Sequence, residues 1–401
     1  MLVNFDKLVN RLKGQNAIIM LIGISFGTKS IVCYYCNTTI EGNAIGCLSG
    51  PVTVPAAISF DSTEELFGQM ALDSQGIHPH VLVNMKRLLG KRLDSIKRLA
   101  SVNVSCCRLV DTPDGIVMRT PSLNRDGKTT DIKITACTTQ LLKNVVQYAV
   151  GTEVSLPSIH AVVTYPLGVD QSLIKEIGKS ISEMQLGDHQ LISKSAAIAL
   201  AYYRRYPEIM ENQTYMVYSF GGGMFETSIV RFSEKKLNIC SYDGDSALGG
   251  IDMDNAILDY VIRMIVREIP SFSMDVETRF KLNTRCEKAK EELSHSETAA
   301  IDVSDYVPGK AIMLSRDKFN QLIKTIVEKT ITITTNLTLT WKGIHPSMQP
   351  VGILLAGGST NIPYVQQQLR EALHLSTTSV IPVCDVAALG CCEYGIVAMW
   401  R

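Results

Sequence analysis

Neither sign of charge prevails in this sequence of 401 residues: 39 lysines and arginines stand against 39 aspartates and glutamates. No global field therefore draws in nucleic acid or an anionic membrane, and any such binding would have to be local. Long apolar runs are missing too. The longest, residues 17–24, falls far short of the roughly 20 residues that span a bilayer. No basic start leads into an apolar stretch and a small-residue cleavage site, so the expected compartment is the cytosol. The eleven cysteines lack regular spacing and include the adjacent pairs Cys106–Cys107 and Cys391–Cys392, which argues against a disulfide framework. Cys33 and Cys36 form a CxxC, but the run 31–36 reads as a strand. Their odd separation sends the two thiols to opposite faces, against a metal or redox site. His78-Pro79-His80 has no cysteine or carboxylate at ligand spacing and reads as a loop. No metal site is expected.

What is present is a 46% hydrophobic, 19% charged composition, enough for a sizeable core and about two to three structural units. Residues 1–15 stand apart. Leu2, Phe5, Leu8, Val9 and Leu12 recur at helical spacing, and Gly14 is a plausible stop. The plain expectation is a short helix packed on its own domain; a docking helix is the sharper one.

From residue 19 one pattern occurs three times. An apolar strand runs into glycines and small hydroxylated residues at 20–28, at 215–223 and at 351–360. Helical stretches at 173–181, 196–204, 257–267 and 279–293 lie between, which makes an α/β chain. The first two glycine turns lead into further strands at 30–36 and 227–232, giving two hairpins that read as a duplicated domain around a cleft. A turn without Cβ atoms lets backbone N–H groups approach an anion closely, so three such turns after buried strands point to phosphate. The run Gly23-Ile24-Ser25-Phe26-Gly27-Thr28-Lys29-Ser30 is not a P-loop, because Thr28 stands where glycine must precede the lysine.

These segments together resemble the heat shock protein 70 (Hsp70) family, within the actin-like ATPase superfold. Ile22-Gly23-Ile24-Ser25-Phe26-Gly27-Thr28 is similar to its first phosphate loop, and Ser219-Phe220-Gly221-Gly222-Gly223-Met224-Phe225-Glu226 to its second. The stretch 244–254 follows at the family's interval. Glu287-Lys288-Ala289-Lys290-Glu291-Glu292-Leu293-Ser294 resembles the helix that grips adenosine, and Leu355-Ala356-Gly357-Gly358-Ser359-Thr360 the adenosine motif. Met85–Arg92 fits a further family stretch. The resemblance covers about residues 20–401. It implies an α/β actin-like ATPase fold of two duplicated lobes, each with a large and a small subdomain, around a nucleotide cleft. Lobe I is expected at 20–205 with an insert at about 56–130, lobe II at 206–401 with an insert at about 246–324, and 1–19 as an N-terminal extension. No substrate-binding domain is expected after Arg401. The implied nucleotide-binding residues are Gly27, Thr28, Lys29, Lys194, Gly221, Gly222, Gly223, Gly250, Glu287, Lys290, Ser294, Gly357, Gly358 and Ser359.

The resemblance also implies what chemistry is lost. Ser25 and Ser219 stand where the family places aspartates, Met224 where it has threonine, Lys194 where it has glutamate, and Leu72 where it has its catalytic lysine. A serine hydroxyl carries no charge to neutralise Mg²⁺. The expectation is a pseudo-ATPase that binds ATP without hydrolysing it, and without Mg²⁺ if Lys194 replaces the metal; alternatively Lys194 pairs with Glu226 across an empty cleft. Against binding, Asn361 takes the place of the adenine-stacking arginine and Cys384 that of a late aspartate. Pro166 of the interdomain relay is kept, while Ile174 replaces its arginine. The loss of the lysine at Leu72 and of the first-loop aspartate at Ser25 is similar to the Ssz-type member of the ribosome-associated complex. That implies a J-domain partner of zuotin type, on the cytoplasmic ribosome, with no membrane or DNA partner. The basic run Lys86, Arg87, Lys91, Arg92, Lys97 and Arg98 is read as family packing rather than an RNA contact. The rival reading is a slow ATPase or phosphotransferase using Glu226, Asp245 or Asp170.

Overall fold

The computed structural model describes residues 18–39, 48–60, 65–74, 81–100, 108–121, 129–375, 377–378 and 384–399. The expected helix at 1–15, the His78–His80 loop and Cys106–Cys107 lie outside them.

Two five-stranded sheets carry the same topology. In the first, β1 (Ile18–Phe26) and β2 (Ser30–Thr39) form a hairpin extended by β3 (Val52–Pro55), all antiparallel. On the other side of β1, β4 (Ile159–Tyr165) and β5 (Asp188–Ser193) add in parallel, giving the order β5-β4-β1-β2-β3. The second sheet repeats this with β6 (Thr214–Phe220), β7 (Phe225–Ser233) and β8 (Lys236–Asp245) antiparallel, then β9 (Ile353–Ala356) and β10 (Thr377–Thr378) parallel, in the order β8-β7-β6-β9-β10. The first two glycine turns each close a hairpin whose last pair is aromatic or aliphatic, Phe26 with Ile31 and Phe220 with Phe225. This is the duplicated actin-like α/β fold.

Helices cover both faces of each sheet. α1 (Ile134–Val150) buries Leu141, Leu142, Val145 and Val146 on the first sheet. α2 (Lys194–Arg205) is capped by the Ser193 hydroxyl, which accepts the Ala196 N–H. In the second lobe α3 (Gly250–Glu268), α4 (Val276–Glu292) and α5 (Arg316–Ile344) share one core with β6 and β7. Asp275 caps α4 through the Thr278 N–H at 2.7 Å. α5 is one continuous helix that runs across the boundary expected near 324. Small sheets sit in the two intervening regions: residues 57–60, 65–67 and 81–83; 108–112, 115–121 and 129–133; and 298–302 with 311–315.

A third core joins the lobes. α2 and α6 (Val386–Met399) lie side by side between the sheets, with Leu21, Cys36 and Val162 from one and Val217, Val230 and Leu354 from the other. The helices touch where Gly390 meets Ala197. A Cβ on Gly390 would stand 1.7 Å from the Ala197 carbonyl oxygen, so only glycine allows this crossing. Cys33 and Cys36 indeed face opposite ways: Cys33 enters the α1 core and Cys36 the shared one. No described helix is long and apolar enough to cross a membrane.

Candidate functional site

The three glycine turns meet at one place. The second turn is tied to the start of α3, where the Gly250 N–H donates to the Gly221 carbonyl at 3.0 Å and the Ile251 N–H to the Gly222 carbonyl at 2.8 Å. The third turn adds the Ser359 hydroxyl, which donates to the same Gly221 carbonyl at 3.2 Å. The first turn closes on itself through the Gly27 N–H and Ser30 carbonyl at 3.0 Å. The Gly221 N–H donates to the Met224 carbonyl at 3.0 Å, so the N–H groups of Gly27, Gly221 and Gly250 are already used, where sequence reasoning reserved them for a phosphate.

Across the cleft, the side chains of Thr28 and Lys29 rest directly on the second turn. A Cβ on Gly223 would lie 2.5 Å from the Thr28 side chain, and one on Gly222 would lie 2.5 Å from Lys29 Cγ. Those two glycines are what lets the loops touch. Lys29 continues over the turn, and its ammonium donates to Glu287 Oε2 on α4 at 2.7 Å. Its Nζ is also 3.9 Å from Asp254 Oδ2 on α3. Asp254 has a fully buried side chain, and Lys290 pairs with it at 2.7 Å. Two ammoniums and two carboxylates form a neutral quartet. Burial works against the Glu287 charge, yet Lys29 and Lys290 together hold its carboxyl below the usual range. Burial likewise opposes the charge on Lys290, but Asp254 and Glu287 hold its ammonium above its usual range.

A second bridge lies lower. Arg87 donates through Nε to the Gly223 carbonyl at 3.0 Å and through a terminal nitrogen to Asp252 at 2.8 Å. Asp252 also accepts the Gly249 N–H at 2.7 Å, so one carboxylate caps α3 and anchors the other lobe. Beside it, Lys86 is buried under the first turn and donates to the Phe26 carbonyl at 2.5 Å. Burial, then the Lys194 charge, push the Lys86 ammonium down to about 7, with Glu226 opposing. Lys86 and Arg87 therefore face inward as the packing reading expects, while Lys91 reaches Asp170 and Arg92 reaches Asp111.

Lys194 begins α2 beside the second turn, 3.9 Å from where a Gly221 Cβ would be. It does not pair with Glu226. The Glu226 carboxylate instead accepts the Leu167 N–H at 3.0 Å and the Ser195 hydroxyl at 3.3 Å. Burial raises its pKa, and Lys194 and Lys86 counter this through space. Gly358 lies beside Cys384, and Ser294, just past the end of α4, donates its hydroxyl to the Lys290 carbonyl at 3.5 Å. The rival acids are engaged elsewhere: Asp170 accepts the Ser172 N–H at a helix start, and Asp245 accepts the Ala247 N–H.

Of the degenerate positions, all but Lys194 are neutral. Ser25 and Ser219 are buried, and the Ser219 hydroxyl has no hydrogen-bond partner among the described residues. Met224 packs against the core of the opposite lobe, and Leu72 joins Ala57, Ala71 and Val81 in a small apolar cluster. Among the described residues no group of three or more histidines, cysteines and carboxylates could hold a metal ion. With neutral hydroxyls at Ser25 and Ser219 and the Lys194 ammonium beside the second turn, the residues do not fit Mg²⁺. Sequence reasoning missed Asp254 and, while expecting Lys86 and Arg87 to pack, did not name their partners. The signal for Asp254 was its spacing, four residues after Gly250 on the same helix.

Comparisons agree with this geometry. The model of the Hsp70 protein family matches residues 21–398. A heat shock protein of SSB type from Pyricularia oryzae is 26% identical over 357 residues, covering 87% of this chain and 56% of that protein. A chaperone protein HscA homolog of Haemophilus influenzae is 25% identical over 339 residues, covering 84% of this chain and 51% of that protein. The chain thus spans about half the length of the curated relatives it matches. Its twin hairpin sheets, converging glycine turns and the match over nearly its full length place it in one group: the chain belongs to the Hsp70 family.

Proposed function

We propose that the chain is a non-hydrolysing Hsp70-family protein that serves as a co-chaperone or scaffold for a J-domain protein of zuotin type. Its place is the cytoplasmic ribosome, in the folding of nascent chains. The observation that carries the loss of hydrolysis is Ser219, a buried neutral hydroxyl where this cleft would need a carboxylate. Phosphoryl transfer depends on placed charge, and losing one such group costs about 10²–10³-fold in rate. Ser25, Lys194, Met224 and Leu72 remove further groups from the same cleft.

Nucleotide binding is a separate property. Thr28, Gly222, Gly223, Gly357, Gly358 and Ser359 would meet the phosphates, and Glu287, Lys290 and Ser294 the adenosine. Lys194 supplies the positive charge that a metal ion would otherwise bring, so ATP binds without Mg²⁺. The Ssz-like pattern of substitutions supports the J-domain and ribosome assignment.

Single-turnover assays with radiolabelled ATP test the first claim, and the expected result is no γ-phosphate release above background. Release with Mg²⁺ at an ordinary chaperone rate would restore the slow-ATPase or phosphotransferase reading. A thermal-shift titration with ATP should raise Tm equally with and without EDTA. Purification of the tagged chain from its native cells should recover a J-domain protein and large ribosomal subunits.

A further inference from the structure

We propose that Lys29 is an internal ligand of the nucleotide site. Its side chain straps the two lobes together, and an incoming nucleotide must displace it. The inference rests on the reading that the cleft binds nucleotide and specifies how that binding is controlled. It reverses the role that sequence reasoning gives Lys29, which is to hold a phosphate.

Three observations converge. The Lys29 stem crosses the second glycine turn in direct contact with Gly222, the place where an anion would have to sit. Its ammonium then ends on Glu287, 258 residues away on α4, the same carboxylate that would grip adenosine. Finally, the charges between the second turn and α4 are paired without any ligand: Lys29 and Lys290 balance Glu287 and Asp254. A nucleotide therefore meets a site whose phosphate turn is covered and whose adenosine-side acid is occupied, by one side chain.

The two bridges between the lobes differ in how easily they open. Arg87 with Asp252 is backed by the Gly223 carbonyl, and the Arg87 side chain is 5% exposed. Lys29 and Glu287 are 28% and 27% exposed, so water can replace each partner and the pair contributes little net free energy. The first is a hinge pin and the second a releasable strap. An entering nucleotide needs the turn that the Lys29 stem covers and the carboxylate that its ammonium holds, so the strap must leave both as the nucleotide arrives. Binding is then offset by the cost of breaking the strap, and the empty cleft is closed rather than open.

The test uses the full chain with ATP in EDTA, read by calorimetry, and the variants Lys29→Ala and Lys29→Arg. The alanine variant should bind ATP about fivefold tighter, the scale of one partly exposed ion pair, and the arginine variant, which keeps the strap, should bind like the natural chain. Weaker binding by Lys29→Ala would overturn the proposal, because Lys29 would then be a phosphate ligand. A second readout needs no nucleotide. Amide exchange at 221–224 and 276–292 should quicken in apo Lys29→Ala, and unchanged exchange would likewise overturn the strap. If no variant binds ATP, the nucleotide reading fails, and the exchange result alone decides whether Lys29 closes the cleft.

Discussion

Arg87 and Asp252 meet at 2.8 Å across the cleft, and the same guanidinium holds the Gly223 carbonyl at 3.0 Å. One side chain from the first lobe therefore fixes both the second glycine turn and the start of α3. Arg87→Ala should destabilise the chain by about 2–4 kcal/mol, since it removes the charged partner of a half-buried carboxylate and the donor to a buried carbonyl. Arg87→Lys should recover less than half of that, because an ammonium cannot reproduce the fork. Urea denaturation measures both, and equal stability of the alanine variant would contradict the role.

Ser219 offers a second prediction. Ser219→Asp places a charge at a buried position whose hydroxyl lacks a partner among the described residues. The cost should be about 2–4 kcal/mol at pH 7 and should shrink as the carboxyl protonates in acid. Adding Mg²⁺ should not recover it. A Tm restored by millimolar Mg²⁺ would mean that a divalent seat survives at the second turn.

Lys86 predicts a pH dependence. Its folded pKa of about 7 lies below the ordinary 10.5. Between those values the unfolded chain binds a proton that the folded chain has released, so stability rises with pH across that window and falls as pH drops towards 7. Lys194 and Glu226 are the charges that face it. The stability of the natural chain relative to Lys86→Met should therefore increase from about pH 7 to about pH 9.5. Parallel Tm profiles for the two chains would show that Lys86 keeps its proton throughout.

Gly390→Ala probes the lobe junction. The added methyl would collide with the Ala197 carbonyl at 1.7 Å, where neither helix has room to yield. Overpacking of this kind costs about 1–3 kcal/mol and more against backbone. Gly343→Ala is the control, since nothing lies within 4 Å of its Cβ position. A Gly390→Ala chain as stable as that control would show that the junction is loose.

Local patterns made much of this legible. The alternation in 31–36 separated Cys33 from Cys36, and the glycines after buried strands marked three turns that do converge. The third strand was read two residues early, because Val351 is apolar yet half-exposed and its N–H bonds the Thr214 carbonyl ahead of the ladder. Pairings between distant charges were not legible. Nothing near Lys29 in the chain announces Glu287, and Lys194 next to a serine gives no hint that Glu226 is taken by Ser195 and Leu167. Basic residues normally read as surface, so the inward turn of Lys86 and Arg87 needed the surrounding family stretch to suggest it.

The position of α6 sets an order of events during synthesis. Its residues 386–396 finish the layer that covers Leu21, Cys36 and Val162, which leave the ribosome far earlier. Until that helix emerges, this face of the first sheet has only α2 to cover it, and the layer stays incomplete. Contacts of such sequence separation form slowly and leave apolar surface open meanwhile. The chain is thus itself a demanding client of whatever shields nascent polypeptides.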